Sequence, residues 1–73
     1  MNNDELKVAL LSKTPVLYTS HDGSEIKYKY VSAIRYIADS GRIRITAEIT
    51  DVNENSVTIC DPERLSNAER GKQ

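Results

Sequence analysis

Between residues 26 and 50 the chain alternates with a period of two. Ile26, Tyr28, Tyr30, Ser32, Ile34, Tyr36 and Ala38 fall on even positions, and Lys27, Lys29, Val31, Ala33, Arg35, Ile37 and Asp39 on odd ones. Successive side chains of an extended strand point to opposite faces, so this predicts one long strand with a largely apolar even face and a mixed odd face. After Ser40-Gly41 the parity reverses. Ile43, Ile45, Ala47 and Ile49 now share one face, and Arg42, Arg44, Thr46, Glu48 and Thr50 the other.

The turn sets the register. A two-residue loop of Ser40-Gly41 pairs Asp39 with Arg42, Ala38 with Ile43, Tyr36 with Ile45, Ile34 with Ala47 and Ser32 with Ile49. A slip of one residue would put the isoleucines beside Lys and Arg, so the pattern selects this pairing. Gly41 supplies the positive φ that such turns need, and Asp39 and Ser40 are ordinary turn formers. Long strands bend, and the small pair Ser32-Ala33 is the expected place.

Residues 1–13 read as a helix. Asn3 is the expected N-cap, with Asp4 and Glu5 in the first turn, where negative charge suits the helix dipole. Leu6, Ala9, Leu10 and Lys13 share one face, which Val8 and Leu11 widen. So short a helix is not stable alone in water and must dock; plugging the end of a barrel is the expected use. Pro15 ends it. Residues 16–19 predict a short strand and Ser20 to Ser24 its turn, with Gly23 at the positive φ. Asn53-Glu54-Asn55 is a second turn, followed by a strand over 56–60 in which Val57 and Ile59 alternate. A two-residue turn here would pair Val52 with Val57 and mismatch the faces, so a longer loop or a bulge near Asp51 is expected. Asp61-Pro62 breaks that strand, and Glu63-Arg64-Leu65 forms either a 3₁₀ turn or a short closing strand.

The fold class expected is mainly β, a small antiparallel SH3-like or Sm-like barrel of four or five strands with a short N-terminal helix. One domain would cover residues 1–65, with 66–73 a polar, disordered tail. The run Tyr28-Lys29-Tyr30-Val31-Ser32-Ala33-Ile34 and the run Ser56-Val57-Thr58-Ile59 resemble short uncharacterised proteins of Gram-positive bacteria and their mobile elements. That resemblance implies no particular activity, and the barrel likeness is one of architecture alone.

At 73 residues the core is marginal, since a chain of this size buries only about 60% of its unfolded surface. Without Trp or Phe, the four tyrosines and the isoleucines must fill it, and self-association could add burial. A hydrophobic fraction of 38% and a charged fraction of 29% suit a soluble domain. No apolar run approaches the ~20 residues of a membrane span, and the N-terminus lacks the pattern of a signal peptide. The lone Cys60 forms no internal disulfide, which fits a reducing compartment, and the cytoplasm is the expected location.

Catalytic chemistry is sparse. His21 neighbours Asp22, but sequence neighbours on an extended chain point apart, and no nucleophile accompanies them. Cys60 carries no sign of activation. One Cys and one His cannot build a structural zinc site. Residues 51–56 resemble the opening of an EF-hand loop, yet Ser56 stands where glycine is needed and Pro62 where a bidentate Glu is needed. No enzyme activity, cofactor or metal is expected.

Binding remains. Val31 and Ile37 lie on the otherwise polar odd face beside Arg35 and Arg44, and apolar residues with a charged rim suit a protein contact or self-association. A sheet edge could also accept a partner's strand. The expected function is therefore a non-enzymatic module that binds another protein through Val31, Ile37, Arg35 and Arg44. The alternative is nucleic-acid binding through Lys27, Lys29, Arg35, Arg42 and Arg44. Against that alternative stand the net charge of -1 and the tyrosines Tyr28, Tyr30 and Tyr36, which parity assigns to the core.

Overall fold

The computed structural model describes residues 1–68. It is mainly β. Helix α1 (Asn3–Ser12) is followed by β1 (Val16–Thr19), β2 (Glu25–Tyr28), β3 (Tyr30–Asp39), β4 (Arg42–Thr50), β5 (Val57–Cys60), a 3₁₀ turn (Pro62–Arg64) and β6 (Leu65–Asn67). The expected long strand is thus two strands, divided at Lys29. They serve two antiparallel three-stranded sheets, one ordered β2-β1-β6 and the other β3-β4-β5. The sheets stay linked at the division, where the Lys29 N–H donates to the Thr50 carbonyl at 2.8 Å. No closed barrel forms among the described residues, because no strand of one sheet pairs along its length with a strand of the other.

The β3–β4 register follows the hydrophobic pattern from the turn inward. Asp39 pairs with Arg42, Ala38 with Ile43, Tyr36 with Ile45 and Ile34 with Ala47. Ser40 and Gly41 take φ of 51° and 80°, the left-handed pair of a two-residue hairpin. The expected bend is a β-bulge between Val31 and Ala33, with Ser32 the extra residue. Its consequence runs against simple parity. Beyond the bulge Val31, not Ser32, faces Ile49, so Val31 turns inward and Tyr30 pairs with Thr50 on the outer side.

Helix α1 begins one residue earlier in its cap than Asn3. Asn2 is the N-cap: its side chain accepts from the Glu5 N–H, and the Glu5 carboxylate accepts from the Asn2 N–H. Glu5 at the third helical position completes this reciprocal capping box, which Asn3 could not. Lys13 closes the helix in a left-handed conformation, its N–H bonded to the Ala9 carbonyl. The helix packs on β3 through Leu6 and Ala9, which are buried with Val16, Val31, Ala47, Ile49, Cys60 and Leu65. Val8 and Leu11 do not widen the buried stripe; they are 66% and 83% exposed.

The loop after β4 is long, as the face mismatch requires. Thr50 pairs with Val57, Asp51 donates its N–H to the Ser56 carbonyl, and Glu54 sits in the left-handed region at φ 57°. After β5 both expected forms occur in succession, the 3₁₀ turn and then β6 against β1. Ser66 and Asn67 are therefore strand residues, and Ala68 is buried with its N–H on the Pro15 carbonyl. The fold continues past residue 65. The rest of the expected tail, 69–73, lies outside the described residues.

Candidate interaction surface

The cross-strand pairs lay out the outer face of the second sheet row by row. Tyr30, Thr50 and Val57 form one row, and Ala33, Glu48 and Ile59 the next. Arg35 then lies beside Thr46, Ile37 beside Arg44, and Asp39 beside Arg42. Strand β5 ends opposite Ala47, so among the described residues the last rows belong to β3 and β4. This end of the hairpin is a two-stranded arm on which every residue from 35 to 44 is exposed.

Of the four residues expected to bind a protein, the structure brings three together. Ile37 faces Arg44 directly, with Arg35 one row away on the same face. Val31 does not join them. It is 1% exposed and packed in the core, because the bulge at Ser32 reverses its face. Position-by-position parity cannot see an extra residue in a strand, which is why Val31 was misplaced.

The five cations of the alternative are spread over both sheets. Lys27 is on β2, and Lys29 lies at the division, where its ammonium meets Glu54 at 2.5 Å. That contact, chiefly its hydrogen bond, raises the Lys29 pKa and lowers that of Glu54. Arg35 lies 3.9 Å from the Glu48 carboxylate and Arg42 faces Asp39. Arg44 has the apolar Ile37 across from it.

The tyrosines that parity assigned to the core are not sealed in it. Tyr36 is 53% exposed, with its hydroxyl donating to the Asn3 side chain at 3.1 Å. Tyr30 donates to Glu54, and Lys13 lies 5.6 Å from its ring centroid. Tyr18 on β1 is half-buried and packs edge-on against Tyr28 with centroids 6.3 Å apart.

The arm carries more apolar surface than the odd face alone suggested. Tyr36, Ala38 and Ile43 share its inner face, the continuation of the core face, and Ile43 is 72% exposed. Parity correctly placed these residues with Ile45 and Ala47, but only the length of the hairpin relative to β5 and α1 leaves them uncovered. On the remaining outer face Val57 and Ile59 are 54% and 56% exposed.

His21 and Asp22 do not act on each other. Arg64 bonds the His21 Nδ1 at 3.0 Å, and Asp22 accepts from the Ser20 hydroxyl and the Ser24 N–H. Those bonds, Ser20 first, lower the Asp22 carboxyl to about 2. Cys60 is buried in the core, which pushes its thiol up to about 11. Among the described residues no group of three potential metal ligands occurs, and no helix is long and apolar enough to cross a membrane.

No family model, curated protein or solved structure matches the chain, and the likeness noted for residues 28–34 and 56–59 rests on those residues alone.

Proposed function

We propose that this chain is a non-catalytic binding module that holds a protein partner on the projecting β3–β4 arm, with Ile37 buried in the contact and Arg35 and Arg44 pairing with acidic groups around it. One observation carries the reading: ten consecutive residues, 35 to 44, are exposed on an ordered two-stranded ribbon bearing Tyr36, Ile37 and Ile43. A two-stranded ribbon has little stability of its own in water, and long open strand edges invite association, so keeping one needs a reason. A bound partner supplies it. Self-association through the same arm belongs to this reading.

The scaffold is read as an SH3-like or Sm-like arrangement of two sheets that stays open among the described residues. Its support is the element order: a helix, then strands β2 and β3 that pass between the two sheets across Lys29, then a short 3₁₀ turn before a last strand that returns to β1. A cytoplasmic site of action is part of the proposal, supported by the single free cysteine.

Photo-cross-linking in cells tests the arm. A cross-linker placed at Ile37 should yield a discrete protein adduct that Arg44→Glu weakens, while one at the exposed Val52 should not. No adduct from Ile37, or adducts to nucleic acid only, would sink the reading. The nucleic-acid alternative is supported by three arginines on one face of the arm, Arg35, Arg42 and Arg44. It requires an oligonucleotide titration to move those residues with steep salt dependence.

A further inference from the structure

We infer that the partner engages the arm as an extended segment, adding a strand to the open edge of β4 at residues 42–46, and that this segment alternates acidic and apolar residues. The inference rests on the arm being a protein-binding surface and names the mode and chemistry of that binding.

The edge is open by topology. Strand β5 pairs with β4 only from Ala47 to Thr50; past Cys60 the chain leaves the sheet at Asp61 and turns at Pro62–Arg64. Among the described residues no strand pairs with 42–46 on that side; the 3₁₀ turn Pro62–Arg64 touches β4 without pairing with it. The two-residue turn makes Asp39 and Arg42 a hydrogen-bonded pair, so Arg42, Arg44 and Thr46 direct their backbone groups at β3. Ile43 and Ile45 direct theirs away from β3, into the open edge. A segment lying there would be in line with β5 and about 17 Å long for five residues.

The side chains then select its sequence. Along this edge Arg42 and Arg44 project to the outer face, while Ile43 and Ile45 project to the inner face. An added strand presents its own residues alternately to the same two faces. Residues beside Arg42 and Arg44 must be acidic to be attractive, since opposite charges across a pair stabilise it and like charges do the reverse. Residues beside Ile43 and Ile45 must be apolar to cover side chains that are otherwise exposed or half-exposed.

The same reasoning disfavours a second copy of this chain at this edge. Antiparallel pairing of 42–46 over its full length with its own copy in matching faces sets Arg44 against Arg44, and the register two residues toward the turn sets Arg42 against Arg44. The arginines thus guard the edge against self-pairing and leave it open to an acidic strand.

The test is an NMR titration with three short capped peptides: one alternating Glu and Val, one alternating Lys and Val, and one with the Glu and Val residues in blocks. The alternating acidic peptide should shift residues 42–46 and slow amide exchange at Ile43 and Ile45. The blocked peptide and the Lys-containing one should bind at least about tenfold more weakly. Arg42→Glu with Arg44→Glu should reverse the preference toward the Lys peptide, and Arg42→Gln with Arg44→Gln, the milder pair, should abolish it. Equal binding of the acidic and basic peptides would overturn the acidic partner while leaving the arm as the binding site. Shifts confined to Ile37 and Ile59 would overturn the edge mode in favour of the outer face, and edge pairing of two copies that shuts out the peptide would give the site to self-association. Silence toward every peptide would overturn the inference, with cross-linking from Ile37 still judging the broader reading. Oligonucleotide shifts at Arg42 and Arg44 without any peptide response would overturn both.

Discussion

Val31 lies directly across from Ile49, and neither side chain is more than 1% exposed. The pair exists because Ser32 is an extra residue in β3, and Ser32 in turn meets the Thr50 hydroxyl. Without that bulge Val31 would face outward and Ser32 would sit on Ile49. The bulge therefore exchanges a hydroxyl for an isopropyl group at the centre of a small core, and it bends β3 where helix α1 packs.

Val31→Ala should cost about 2 kcal/mol, the scale of removing buried methyl groups from a core that cannot fully collapse. Val31→Asp should leave the chain unfolded, because it places an unpaired carboxylate there. Urea unfolding would show a lowered midpoint with an unchanged slope for the first, and no transition for the second. Equal, mild effects would mean that Val31 is on the surface after all.

Thr46 presents a contrasting case. It lies between Arg35 and the open edge, nearly buried, and its hydroxyl has no partner among the described residues. An unsatisfied buried hydroxyl costs free energy, so Thr46→Val, which keeps the shape, should raise stability by about 1 kcal/mol. Thermal unfolding would detect it. A loss of stability would indicate a hydrogen bond made by that hydroxyl in solution.

Burial, and secondarily the charge of Asp61, moves the Cys60 thiol from an ordinary 9.0 to about 11. The unfolded chain therefore ionises first as the pH rises. The stability tied to the protonated thiol is complete below 9.0 and is lost progressively up to about 11. Urea midpoints should fall more steeply between pH 8 and pH 10.5 for the wild type than for Cys60→Ala. At pH 8 a thiol reagent should modify Cys60 no faster than the protein opens.

The hairpin turn can be tuned in both directions. Gly41 at φ 80° has open space where a Cβ would project, so the cost of Gly41→Ala is conformational, about 1–2 kcal/mol. Ser40 at φ 51° is a non-glycine residue in the same region, and asparagine tolerates it better. Ser40→Asn should slow amide exchange along the arm, and Gly41→Ala should speed it. Because the arm holds few buried groups, both effects should be larger there than in global unfolding.

Much of the second sheet was legible in the residues themselves. The isoleucines at 43, 45 and 49 and the Ser40-Gly41 turn specify the register near the turn, because a one-residue slip would set the isoleucines beside Lys and Arg. Pro15, Asp61-Pro62 and the face mismatch between Val52 and Val57 marked the breaks for equally local reasons. The candidate surface was partly legible, since Ile37, Arg35 and Arg44 share a parity. The sequence also marked Ser32-Ala33 as a place to bend. It could not say that the bend would be an inserted residue, because a bulge is chosen by what lies across the sheet, and it was this that removed Val31 from the surface.

Local spacing alone determined the helix, the hairpin turn and the register from that turn to the Ile34–Ala47 pair, since side-chain periodicity and turn stereochemistry act between near neighbours in the chain. Only the tertiary structure decided that the long strand divides at Lys29 between two sheets, that β5 stops at Ala47, and that Tyr36 and Ile43 are uncovered while Val31 is sealed. These outcomes depend on which distant elements reach a given face. Packing against α1, β5 and β6 settles that, and no periodicity within a single strand records it.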